Sequence, residues 1–297
     1  MDKLSNNKIE LFDELGKSRG YYDKRNKIND LTGKEWLFST KSVIPKSYPP
    51  SFQLQNLRNK HGGQKPPELC AQLINTFTKK GELVLDPLAG VGGTLIGCTL
   101  TNRRGIGIEI NPKWVNIYKE VCKLEKIKEE EMIVEDSQIY LKTYTHDVDF
   151  ILTDVPYWLM DKVEKSKGTY KKHGEIAKGI YSDKSKLKSF DENAPKTKEE
   201  WKMLLHNVFT ECYRVLKHEK YCAIFIGNMY YKKRYHLLTS DLTQILENIG
   251  FILKGEIIWY DVAKKLHLYG INYSWIPSIV HQFILIFRKP KAENAKK

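Results

Sequence analysis

The chain lacks the features that would place it in a membrane, outside the cell or around a metal. No apolar run in its 297 residues approaches the roughly 20 needed to cross a bilayer. Its first ten residues, MDKLSNNKIE, are polar where a secretion signal would be hydrophobic. Five cysteines (Cys70, Cys98, Cys122, Cys212 and Cys222) never fall at the paired spacing of a zinc ribbon or redox motif, and one is left over from any pairing. They read as buried thiols in a reducing compartment, so the expectation is a soluble cytoplasmic protein with no metal and no membrane partner. Acidic residues are also in deficit. Asp and Glu number 36 against 49 Lys and Arg, a formal charge of +13, which suits a partner with a phosphate backbone and an association with the nucleoid. Internal repeats are missing, and low complexity is confined to the basic tail at 291–297.

What is present is a run of strands alternating with helices, from about residue 61 to 290. Residues 1–60 are polar, without a sustained period, and read as an arm that packs piecemeal. Leu83-Val84-Leu85 is an apolar strand ending in Asp86, followed by a Gly-rich turn and a helix from Thr94. Gly105 to Ile110 forms a second strand with Glu109 near its end, and Asn111-Pro112 caps and starts a helix reaching about Glu125. Met132 to Val134 leads into Glu135-Asp136, and Val148 to Thr153 delivers Asp154-Val155-Pro156-Tyr157-Trp158. A charged insertion, 159–198, follows. Regular structure resumes with a helix at 199–216, a strand at 221–227, a helix at 238–249 and strands at 251–260 and 282–288. The last two have no helix between them. The pattern predicts an α/β fold: a mostly parallel sheet with an antiparallel hairpin at one edge and helices on both faces.

Ligands of such a sheet bind beyond the carboxyl ends of its strands. Asp86, Pro87, Ala89, Gly90, Gly92 and Gly93 form a turn that leaves the backbone open to close approach. The turn lacks the G-x-G-x-x-G spacing of a dinucleotide site and the Lys-Ser/Thr pair of a phosphate loop, which favours a nucleoside cofactor without phosphates. Glu109 can accept from ribose hydroxyls, and Asp136 from an adenine amino group; each acid taken singly could equally be a helix cap. Asp154-Val155-Pro156-Tyr157 joins a carboxylate, a proline-pinned backbone and an aromatic face. An exocyclic amino nitrogen is a poor nucleophile because its lone pair is delocalised into the base. Asp154 and the Val155 carbonyl could draw that pair out of conjugation, Pro156 fixing their separation. Tyr157, with Trp158, could stack on a base rotated out of the duplex.

These residues resemble a known family, the amino methyltransferases that act on adenine N6 or cytosine N4 of DNA. DPLAGVGGT is similar to their glycine-rich motif, with Leu88 where Phe is usual. TDVPYW resembles their catalytic D-P-P-Y motif, with Val155 in place of the first proline. HGGQKPPELCAQLI (61–74) resembles the motif around Gln64, Lys65 and Pro66 that precedes the glycine loop on the cofactor side, and FILIFRKP resembles the closing strand. The resemblance implies a seven-stranded Rossmann-like domain with S-adenosylmethionine as donor. It also implies direct methyl transfer to a flipped base, and a restriction nuclease or specificity subunit as the kind of partner such enzymes take. Within it, Asp86, Gly90 and Gly92 fall on the methionine side of the cofactor and Glu109 on the ribose, while Asp154, Pro156 and Tyr157 form the catalytic motif. Asp154 favours adenine; its neighbours Thr153 and Trp158 resemble the cytosine enzymes. An RNA guanine-N2 methyltransferase and an inactive DNA-binding homologue are the competing classes. Lys165, Lys167, Lys171 and Lys172 in the insertion are expected DNA contacts. Gly92→Asp is expected to abolish cofactor binding while sparing the fold.

Overall fold

The computed structural model of the chain describes residues 7–49, 55–158, 195–264, 266 and 274–292. From the N-terminus, β1 (Lys8–Phe12) and β2 (Ser18–Asp23) form an antiparallel hairpin; α1 (Gly33–Ser39), β3 (Val43–Pro45) and the single turn α2 (Gln55–Arg58) follow. The alternating region runs α3 (Pro67–Phe77), β4 (Leu83–Asp86), α4 (Gly93–Leu100), β5 (Arg104–Glu109), α5 (Pro112–Glu125), β6 (Glu131–Val134), α6 (Ser137–Thr143) and β7 (Val148–Asp154). Then come α7 (Lys198–Val215), β8 (Leu216–Ile226), the short β9 (Met229–Tyr231) and β10 (Arg234–His236), α8 (Leu238–Ile249), β11 (Ile252–Tyr260) and β12 (His281–Arg288). The elements start where their sequences allow. Asn111, for instance, accepts from the Lys113 amide and Pro112 opens α5, so the cap supplies an acceptor where the helix has orphan donors.

The main sheet has the order β3-β11-β12-β8-β7-β4-β5-β6. Strands β4 to β8 are parallel, β12 runs antiparallel to both β8 and β11, and β3 lies parallel to β11. The seven strands expected from the sequence are thus joined by an eighth from the N-terminal arm. There the buried Ile44 packs into the core and the Lys46 amide donates to the Tyr260 carbonyl. The chain crosses from β4 outward to β5 and β6, then returns to β7 on the other side of β4. That reversal puts the carboxyl ends of β4 and β7 side by side, at the switch point where such sheets hold ligands.

The central parallel strands β4 and β7 are buried on both faces, which is why they read as continuous apolar runs. Alternation decides which face each residue serves. Leu85 and Ile151 join Trp201, Leu205 and Phe209 of α7 on one side, whereas Val84, Phe150 and Leu152 join Leu69, Leu73 and Ile74 of α3 on the other. Burying one such side chain is worth about 1.5–3 kcal/mol, so packing on both faces holds the centre of the sheet together. Asp86 and Asp154 stand at its rim.

Candidate active site

The turn after β4 is built around two left-handed glycines, Gly90 (φ +51°) and Gly92 (φ +71°). The Gly90 amide donates to Glu109 Oε2 at 2.9 Å, tying the turn to the end of β5. The Ala89 amide donates to the Ile108 carbonyl, and the buried Pro87 accepts at its carbonyl from the Ser137 hydroxyl. A Cβ on Gly90 would lie 3.1 Å from His61 Nε2, and one on Gly93 would lie 2.9 Å from the Lys65 carbonyl oxygen. Side chains here would fill the space between the glycine loop and the segment before α3. Gly92 differs, because its Cβ would lie 2.2 Å from the ring of the fully buried Tyr118. Gly92→Asp therefore costs the fold as well as the cleft, contrary to the expectation from sequence.

Between these two segments lies a narrow cleft. His61, Gln64, Lys65, Asp86, Ala89, Gly90, Thr94, Asp154 and Phe225 all contribute to its walls. The structure thus gathers the glycine loop, the Gln64-Lys65 motif and Asp154 at one place. Glu109 adjoins it through Gly90. Both of its oxygens accept from backbone amides, Gly90 and Asn111, which orients the carboxylate. Asp136 accepts from the Gln138 amide as the cap of α6, so its visible work is structural. Pro66 stands one residue before α3. Lys165, Lys167, Lys171 and Lys172 lie outside the described residues.

The centre of the cleft is an ion pair. The Lys65 ammonium, 8% exposed, donates to Asp154 Oδ2 and also to the Gly63 carbonyl, and it lies 5.5 Å from the centre of the Phe225 ring. Burial pushes the Asp154 carboxyl above its usual range, and Lys65 opposes that shift. The Lys65 backbone is itself anchored. Its carbonyl accepts at 2.9 Å from the guanidinium of Arg58, whose pKa burial brings down to about 10. Sequence placed Lys65 on the cofactor side; the fold sets its side chain on the Asp154 carboxylate. His61 and Thr94 line the cleft from within the two motifs, while Phe225 on β8 and Arg58 behind Lys65 belong to other elements, where no local pattern marks them.

The Asp154-Val155-Pro156-Tyr157 segment is held by contacts from three other elements. The Val155 amide donates to the Phe225 carbonyl, and Pro156 accepts from the Trp201 indole at 2.7 Å. The Tyr157 hydroxyl accepts from Gln282 on β12, and burial raises its pKa well above the phenol range. The half-buried Trp158 meets Tyr231 and His236 edge-on, at 5.8 and 5.2 Å between ring centres. These contacts fix both aromatic rings in the segment that follows β7.

Asp86 is 3% exposed, and burial raises its carboxyl to about 6 against the pull of the Thr94 and Thr153 hydroxyls. A carboxyl raised in this way stabilises the fold below its unfolded value near 4, and that stability is lost as pH rises through about 6. Above that pH the buried charge costs about 3 kcal/mol. Asp86→Asn should therefore raise the thermal midpoint at pH 8 and leave it unchanged at pH 4, while weakening any cationic ligand of the cleft. Melting curves at the two pH values check this.

By sheet order and cleft position this is a Rossmann-like α/β protein of the methyltransferase type. The chain belongs to the DNA methylase family of N6 and N4 amino methyltransferases, whose model matches residues 5–120 and 148–297. That family takes its methyl group from S-adenosylmethionine. Among individual proteins, the type II methyltransferase M.HpaI of Haemophilus parainfluenzae is 31% identical over 127 residues, 36% of this chain and 40% of that protein. A tRNA (guanine(10)-N2)-dimethyltransferase of Methanothermobacter thermautotrophicus is 28% identical over 171 residues, 52% of this chain and 49% of that one. The matches thus take in less than half the length of either relative. The solved structure of TrmN from Thermus thermophilus shares the fold, with a TM-score of 0.50 at 14% identity over 79% of this chain and 52% of that one.

The cleft suits such a cofactor on its own chemistry. Three of its polar atoms, His61 Nδ1, Gln64 Oε1 and Asp154 Oδ1, are buried without a hydrogen-bond partner. Buried polar atoms left unpaired cost free energy, so three converging on one cleft mark a place built to receive a polar ligand. Burial also holds His61 near pKa 4, so it presents a neutral imidazole at neutral pH.

Proposed function

We propose that this chain transfers a methyl group from S-adenosylmethionine to the exocyclic amino nitrogen of a base flipped out of DNA, with adenine N6 the favoured position. The observation that carries the reading is Asp154, at the end of β7 beside the glycine loop, with Oδ1 buried and unpaired. The bound cofactor supplies an electrophilic methyl group on a sulfonium centre. Asp86, Gly90, Gly92, Glu109 and Gln64 would hold it, the carboxylates taking its amino and ribose groups. Asp154 Oδ1 accepts from the base amino group, localises its lone pair and takes up a released proton. Lys65 keeps that carboxyl ionised in a buried place. Tyr157 and Trp158 offer ring faces to the flipped base, their positions fixed by Gln282, Tyr231 and His236.

Cytosine N4 is the second reading, favoured by Thr153 and Trp158 on either side of the motif. The work of such an enzyme lies in the cytoplasm on nucleoid DNA, and a restriction nuclease or specificity subunit is the kind of partner that would complete it. Single-molecule sequencing of DNA from cells expressing the chain separates the readings. Methyladenine in one short context supports the proposal, methylcytosine transfers it to the second reading, and unmodified DNA overturns both.

A further inference from the structure

Between β8 and α8 the chain makes a small hairpin, and the mechanism above uses its Tyr231 and His236 but not its tip. β9 pairs with β10 through Tyr231 and Arg234, so Lys232 and Lys233 alone form the turn. Both are left-handed, with φ of +47° and +61°. Two-residue turns of this kind call for Asn-Gly, because a Cβ crowds the following carbonyl oxygen there, which Gly avoids and Asn offsets by local hydrogen bonding. This sequence places two lysines in that position and follows them with Arg234. All three are exposed, and none forms an ion pair among the described residues. Lys232 lies over the Tyr231 ring, 5.5 Å from its centre.

The hairpin is fastened to the lip of the cleft. Its two strands contribute Tyr231 and His236, whose neighbouring rings both meet Trp158 edge-on. At its root a Cβ on Gly227 would lie 2.9 Å from the Tyr157 hydroxyl, and Asn228 accepts from both the amide and the hydroxyl of Thr239 at the start of α8. The three cations therefore have a set position relative to Asp154-Val155-Pro156-Tyr157. A solvated charge run has no need of a strained turn or of such bracing.

We propose that the β9–β10 hairpin is a DNA-contacting arm whose tip, Lys232, Lys233 and Arg234, binds backbone phosphates next to the base that enters at Asp154. The proposal rests on the DNA-methylating reading and adds to it the surface that grips the strand. The two lysines contact phosphates and carry no sequence information themselves.

The test uses the full chain and a mixed-sequence DNA duplex as probe. Replacing the turn by Lys232→Asn with Lys233→Gly removes two charges and gives the turn its preferred residues, so the thermal midpoint rises by a few degrees while DNA binding weakens. Each lysine withdrawn from a phosphate lowers the dependence of log K on log salt by about 0.9, so the slope falls by about 2 and, relative to 1 M salt, affinity at 0.1 M drops by roughly 50- to 100-fold. Turnover at saturating DNA stays within twofold. Lys123→Asn with Lys126→Gly, at the far end of α5, removes the same two charges and leaves the slope at the wild-type value. A hairpin variant with an unchanged slope, or a control that weakens binding as much, overturns the arm while the enzyme reading stands. A wild-type chain that does not bind the duplex overturns both.

Discussion

Asp154→Ala should slow methyl transfer by a factor of 10² to 10³. That is the fall expected when one charge-assisted hydrogen bond to a reacting group, about 3–4 kcal/mol, is removed from a transition state. Cofactor affinity should change little, because the glycine loop and Glu109 are untouched. The substitution has a second consequence, which follows from the ion pair. Lys65 is left with a buried ammonium and only the Gly63 carbonyl beside it, so the thermal midpoint should fall as well. Adding Lys65→Met to the same chain removes the stranded charge. The double variant should melt nearer the wild type than either single variant, yet transfer no faster than Asp154→Ala. Loss of stability and loss of chemistry then separate in one thermodynamic cycle. Transfer restored in the double variant would show that Asp154 acts on the fold alone.

Lys65→Met by itself should produce the second large effect, and its sign depends on pH. Burial already raises the Asp154 carboxyl, and losing Lys65 removes the charge that opposes the rise. Asp154 must be ionised to accept from the base amino group, so the acidic limb of the rate profile moves to higher pH. Activity at neutral pH drops steeply and recovers up to tenfold per pH unit as the solution is made alkaline. Stability runs the other way. With its carboxyl protonated the variant is close to the wild type, and it loses stability as pH rises through the raised value. Asp154 keeps 27% of its side chain exposed, so the loss should be about 2–3 kcal/mol, below the 3–5 of a fully buried pair. A rate profile and melting series in matched buffers check both limbs. A uniform fall in rate, with no movement along the pH axis, would return Lys65 to the cofactor side where the sequence motif placed it.

Much of this architecture was legible before the structure. The strand ending in Asp86, the Asn111-Pro112 helix start and the strand delivering Asp154 are local signals, and each falls within a residue or two of its expected place. The antiparallel pairing of β11 and β12 followed from the missing helix between them. Long-range placement was not legible. Lys65 reaches Asp154 across 89 residues because α3, which it precedes, packs against β7, and no periodicity in either segment couples them. β3 is three residues long, too short to show alternation, and is a strand only because β11 offers it an open edge. The β9–β10 hairpin escaped notice for a related reason. Its turn holds Lys-Lys where a hairpin signal would be Asn-Gly, so local chemistry contradicted the conformation that the surrounding aromatic contacts impose.

The central claim is that Asp154 activates a base amino group for methylation, and the products of the reaction test it most directly. Purified chain would be incubated with unmethylated genomic DNA and methyl-labelled S-adenosylmethionine, the DNA digested to nucleosides, and the label assigned by mass spectrometry, with Asp154→Ala run in parallel. The account predicts label in N6-methyldeoxyadenosine, reduced at least a hundredfold by the substitution. Label on a ring carbon such as C5 of cytosine, or equal labelling by wild type and Asp154→Ala, would contradict it.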